Sequence, residues 1–270
     1  MANRIDITFG KLREAREIAL IPYVTVGFPS VETTIDLVLR LAQGDADVIE
    51  LGVPFSDPLA DGATIQRASF HALKQGVTLG TCLLVVNQLR KAGVDTPLVL
   101  MGYYNPILRY GLEPFAEAAS SAGVDGLIVA DLPHEEAAPL RKACDARNIF
   151  IIPLLAPTST DERIAQACQR ARGFIYCISL TGVTGARRDL ALGVPQLIQR
   201  VRGHTGLPVA VGFGVSKREH IDIISTYADG AVVGSALIDI IETSPPDGML
   251  DMAQGFLRDL KGDGHPGPRR

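Results

Sequence analysis

The chain has 270 residues, 47% of them apolar, which is enough for one large domain with a substantial core. A net charge of -4 and an isoelectric point near 5.7 leave no basic footprint for nucleic acid. No apolar run reaches the ~20 residues of a membrane helix, the segment Met1-Ala2-Asn3-Arg4-Ile5-Asp6 lacks a signal peptide's apolar core, and Cys82, Cys144, Cys168 and Cys177 show no CxxC spacing, so a cytoplasmic protein with reduced thiols is expected.

In chain order, Phe9, Leu12 and Ala15 are spaced for a short helix. Eight apolar, β-branched runs then follow, at 21–26, 48–51, 98–101, 126–130, 149–154, 174–179, 208–211 and 231–233. Helical patterns separate them: after Ser30, a plausible N-cap, Ile35, Val38, Leu39 and Ala42 keep a helical spacing. Strands alternating with helices predict a parallel sheet closed into a (β/α)8 barrel, with the first short helix laid across its bottom. An open doubly wound sheet is the rival, but it needs a topological switch point and usually an early Gly-rich turn, and neither is evident. The stretch 63–96 has room for an inserted helix before the regular one, with Gly76 between them. No linker or low-complexity block divides the chain, so 1–260 reads as one domain and 261–270 as a frayed tail.

The most telling segment is Glu50-Leu51-Gly52-Val53-Pro54-Phe55-Ser56-Asp57-Pro58-Leu59-Ala60-Asp61-Gly62. Strand side chains alternate, so Val48 and Glu50 share one face while Ile49 and Leu51 share the other. A carboxylate on the inner face of a buried strand is costly without a partner. Gly52, Pro54 and Pro58 break the strand into a rigid loop that carries Asp57 and Asp61. Glu50 and Asp61 can therefore approach one small molecule from strand and loop. Past the seventh strand lies Gly214, and past the eighth Gly234-Ser235, where barrels commonly hold phosphate on backbone N–H groups. Ser235 is also a candidate cap for a short helix reaching Ile241. Tyr176 shares a strand face with Phe174 and Ile178, which suits core packing as well as a site wall.

The segment from Glu50 to Gly62 resembles the signature of the tryptophan synthase alpha chain family. Val129-Ala130-Asp131-Leu132-Pro133, Thr181-Gly182-Val183-Thr184-Gly185-Ala186-Arg187, Gly212-Phe213-Gly214-Val215-Ser216 and Gly234-Ser235-Ala236 follow in the same order. The resemblance spans about Phe9 to Leu260. It implies retro-aldol cleavage of indole-3-glycerol phosphate to indole and glyceraldehyde 3-phosphate. By that resemblance, Glu50 cycles between acid and base, and Asp61 accepts the indole N–H. Tyr23, Ile65, Tyr103, Tyr176 and Phe213 line the substrate slot, and Thr184 positions a loop against Asp61. Gly185 joins Gly214, Gly234 and Ser235 at the phosphate. Tyr23 stands where some relatives carry Phe. The family's partner is a beta chain that uses pyridoxal phosphate, in an alpha2beta2 heterotetramer, and this chain shows no lysine motif for that cofactor.

His134, in His134-Glu135-Glu136, lacks the second histidine of a zinc helix. His71, His204, His220 and His265 have no partner at ligand spacing, so no metal is expected. Two rival functions remain on sequence alone. One is a stand-alone indole-releasing lyase with the same site. The other is a non-catalytic phosphate-binding barrel subunit, which has no need of the Glu50 and Asp61 pair.

Overall fold

The computed structural model describes residues 2–178, 187–212 and 214–262, with the backbone alone for 187–192. The strands are β1 (Ala19–Thr25), β2 (Ile49–Gly52), β3 (Leu98–Gly102), β4 (Gly126–Val129), β5 (Phe150–Ile151), β6 (Leu154–Leu155), β7 (Ile175–Ile178), β8 (Val209–Gly212) and β9 (Gly230–Val233). All neighbours are parallel, in the order β5-β4-β3-β2-β1-β9-β8-β7-β6. The two ends of that order, β5 and β6, are successive pieces of one run interrupted at Ile152 and Pro153. β5 pairs with β4 and β6 pairs with β7. The run therefore joins both ends of the sheet, and the eight expected strands close into a barrel. Pro153 has no N–H to give to a ladder, although its carbonyl still accepts from Tyr176 N at 3.0 Å.

Alternation along each strand sorts the core into two layers. Ala19, Ile21, Val48, Val99, Ile128, Phe150, Ile152, Phe174, Tyr176, Ala210 and Val232 fill the barrel interior, while Leu20, Val24, Ile49, Leu51, Leu98 and Leu100 pack outward against helices. The expected inward parity of Val48 thus holds, and it fixes Glu50 on the same inner face. Helix Arg4–Ala15 plugs the bottom with Ile5, Phe9 and Leu12, and Phe9 lies 5.5 Å from Phe174 between ring centroids. Ala15 itself is exposed; Ile5 takes the inner place. Below β3 and β4, buried Asp125 accepts from Leu98 N at 2.8 Å and pairs with Arg90 and Arg4.

Ser30 caps helix Val31–Leu41 as expected, accepting from Thr33 N at 3.1 Å. The inserted helix is also present: Ala63–Lys74 precedes Leu79–Lys91, and Gly76 between them takes a positive φ of 77° that favours glycine. The last helix runs from Met249 to Lys261, whose ammonium meets Gly44 O at 2.9 Å and Asp47 at 3.0 Å, so Lys261 is held against the barrel base. The rest of the expected tail, 263–270, lies outside the described residues. Among the described residues, all four cysteines are free and buried, and no helix is long and apolar enough to cross a membrane.

Candidate active site

Glu50 is the last inward side chain of β2 before Gly52, where the strand breaks into its loop, and its carboxyl group is wholly buried. Among the described residues, neither carboxyl oxygen has a hydrogen-bond partner. Burial without compensation disfavours the charged form and pushes the group up to about 8. A helper for folding would be paired; an unpaired buried acid is costly and marks a candidate reacting group.

Opposite it, Tyr23 of β1 is in register with Glu50. The inward position after Glu50 is Gly52, and a Cβ there would overlap the Tyr23 phenol. The same device recurs across the barrel, where a Cβ on Gly212 would overlap the Tyr176 phenol. Both strands end on glycine because two tyrosine rings fill the space above them. Burial, then the field of nearby carboxylates, raises both phenols well above their ordinary range, so they stay protonated. Thr25 Oγ1 donates to Tyr23 Oη at 3.5 Å.

The loop after β2 carries Asp61 to the same place. It leaves the barrel with Val53 N bonded to Met101 O at 2.8 Å and Phe55 N to Ser69 Oγ at 3.1 Å. Gln66 then holds its far end, donating to Asp61 O at 2.9 Å. Burial raises Asp61 to about 6, opposed by a hydrogen bond from the Tyr103 phenol. At neutral pH the site therefore combines a protonated Glu50 with an ionised Asp61, two carboxyls pushed apart by environment.

The structure brings together Glu50, Asp61, Tyr23, Tyr103, Tyr176, Ile65 and Gly234. Asp61 acts electrostatically on Tyr23, Tyr103 and Tyr176, and a Cβ on Gly234 would sit 3.7 Å from both Ile65 Cδ1 and Tyr23 Cβ. Gly234 opens helix Ser235–Thr243 as its N-cap, and the helix has no side-chain cap hydrogen bond among the described residues. The expectation that Ser235 caps this helix is thus corrected. Ser235 is the first helical residue, already past the position whose side chain can reach back to N2 or N3. Ser235 and Gly214 are exposed, and Gly214 holds a positive φ of 40°. Thr184, Gly185 and Phe213 lie outside the described residues.

The site also gives three residues roles that the sequence pattern did not assign them. Phe55 stacks on Tyr103 with centroids 5.0 Å apart and planes at 29°. Gly52 and Gly212 make room for the phenols, and their parity with Glu50 and Ala210 was the available signal.

A sequence profile described as Tryptophan synthase alpha chain matches residues 9–258. A tryptophan synthase alpha chain of Roseiflexus castenholzii is 51% identical over 260 residues, covering 96% of this chain and 100% of that one. Another, from Chloroflexus aggregans, is 52% identical over 258 residues, with 96% and 97% covered. The crystal structure of tryptophan synthase subunit alpha from Legionella pneumophila superposes with a TM-score of 0.87 at 39% identity, covering 97% of this chain and 98% of that one. The chain therefore belongs to the tryptophan synthase alpha chain family, lyases of tryptophan biosynthesis that cleave indole-3-glycerol phosphate, need no cofactor of their own, and pair with a beta chain that carries pyridoxal phosphate.

Proposed function

We propose that Glu50 is the general acid and base of indole-3-glycerol phosphate cleavage in this chain, with Asp61 as the acceptor for the indole N–H. The observation that carries this reading is the buried, unpartnered Glu50 carboxyl group, held near 8 at the mouth of the barrel. Protonated at neutral pH, it gives its proton to indole C3, which places positive charge on the ring nitrogen. Ionised Asp61 faces that N–H and stabilises the charge. The Glu50 carboxylate, now ionised in an apolar wall, takes the proton from the hydroxyl next to the bond to be broken. The O–H electrons become the aldehyde C=O, and the carbon–carbon pair returns to the ring and neutralises it. In net terms one proton has moved from hydroxyl to C3, and Glu50 ends protonated as it began, ready for the next turnover.

The tyrosines and Ile65 form the slot for the flat indole ring, and the family resemblance assigns Phe213 to the same slot. Gly214, Gly234 and Ser235 offer backbone N–H groups and the uncapped end of a helix to the phosphate dianion, joined by Gly185. Thr184 orders the loop over Asp61. The 1–260 barrel acts as a single domain in the cytoplasm, within an alpha2beta2 heterotetramer. The family's known pairing, together with the glycine- and proline-punctuated loop that carries Asp61, supports that assembly.

The test is indole release by Glu50→Gln. The amide keeps the shape but cannot cycle a proton, so turnover falls by at least ~10²-fold. Near-normal turnover would sink the assignment.

A further inference from the structure

We propose that Tyr103 is the positioning residue for Asp61: its phenol closes a two-point clasp on the 53–62 loop, accepting from the Ala60 N–H and donating to the Asp61 carboxylate. This rests on the reading of Asp61 above and deepens it. Tyr103 directly follows β3 and is the N-cap residue of helix Tyr104–Tyr110, in extended backbone with φ −122° and ψ 156°. It is buried, and its ring is fixed by the stack on Phe55. Ala60 N donates to Tyr103 Oη at 3.0 Å. A phenol has one proton, so the oxygen that accepts from Ala60 still has its own hydrogen for Asp61.

The other anchors of this loop act on the main chain: Ser69 on Phe55, and Gln66 on the carbonyls of Asp61 and Pro58. Tyr103 reaches the carboxylate itself. It therefore sets where the oxygens point and which charge state they hold, which the backbone anchors do not. A slot-lining tyrosine needs no hydroxyl for its apolar face. Here the hydroxyl is committed to the loop, at the two residues that bring the carboxylate into the site.

Among the described residues, the groups facing Asp61 are the phenols of Tyr23 from β1, Tyr103 from the end of β3 and Tyr176 from β7; Glu50 of β2 acts on Tyr23 and Tyr176, and Asp131 acts on Tyr103. The three phenols are neutral through the working pH range. Removing the Tyr103 hydroxyl leaves the Phe55 stack in place but strips the ionised form of Asp61 of its donor. The Asp61 pKa must then rise, and the acid side of the activity profile must move with it.

The experiment measures indole release from indole-3-glycerol phosphate against pH, with enzyme in excess so that slow variants are read. It compares wild type, Tyr103→Phe, Asp61→Asn and the double variant. Loss of one hydrogen bond to a charged group predicts that Tyr103→Phe lowers kcat/KM by about 10-fold and moves the acid limb up by about one pH unit. Asp61→Asn lowers kcat/KM by at least ~10²-fold, and Tyr103→Phe adds less than about twofold on top of it, since both act through one carboxylate. A Tyr103→Phe enzyme with wild-type rate and acid limb, beside a crippled Asp61→Asn, would overturn the clasp and leave Asp61 standing. So would an undiminished Tyr103→Phe penalty in the double variant. Wild-type turnover by Asp61→Asn would remove the reading of Asp61, and the clasp with it.

Discussion

Replacing Glu50 by Gln should shift stability in favour of the variant as pH rises. In the unfolded chain the carboxyl titrates near 4.5, and in the folded barrel near 8. Below pH 4.5 both states hold the proton and its ionisation costs nothing. Between the two values the unfolded state ionises while the folded state does not, so wild type loses stability as pH rises through that window. Above 8 both states are ionised and the loss is complete. A gap from 4.5 to about 8, at 1.36 kcal/mol per unit, comes to about 5 kcal/mol in full and about 3 kcal/mol at pH 7. Glutamine does not titrate. Its buried amide brings a cost of its own, but that cost is independent of pH and cancels in the slope. Urea unfolding of both proteins from pH 5 to 9, read as the difference in free energy at each pH, isolates the carboxyl. The difference should move in favour of Glu50→Gln by roughly 3–5 kcal/mol across that range. Parallel pH curves for the two proteins would refute the claim that Glu50 is buried without compensation.

Three further outcomes are expected. The kcat/KM for indole release should be bell-shaped in pH, rising as Asp61 ionises near 6 and falling as Glu50 loses its proton near 8; a profile flat from 5 to 9 contradicts the two roles. Gly234→Asp sets a like charge at the helix N-terminus and should weaken binding of glycerol phosphate analogues sharply while the far-UV spectrum stays native, so unchanged calorimetric affinity rejects that phosphate site. Adding a beta chain should raise indole release at least ~10-fold if it favours the closed arrangement of the loop bearing Asp61; full activity alone, with no change on addition, points to a stand-alone lyase.

Much of this molecule can be read from its sequence because period and parity are local. Eight β-branched runs are enough to place the strands, and the step from Val48 to Glu50 is enough to turn a carboxyl into the barrel. What sequence does not carry is distance across the barrel. Tyr103 reads as an aromatic wall until Ala60 and Asp61, some forty residues earlier in the chain, are seen to sit on its hydroxyl. Local preference even misleads at Ser235. Serine is a favoured N-cap, yet the cap is Gly234, whose unusual backbone at φ −110° and ψ −86° turns the chain from β9 straight into a helix with no side-chain cap hydrogen bond. Capping by a serine side chain would help the helix but consume an N–H group that an anion needs. Gly52 and Gly212 repeat the point in steric form: each lacks a side chain so that a tyrosine from a neighbouring strand can occupy its place. At Gly234 a stabilising side-chain cap is absent, at Gly52 and Gly212 a strand gives up its side chain, and at Glu50 a buried carboxyl group is left without a partner among the described residues. These departures from what local stability favours converge on one end of one barrel, which is how a site differs from a core.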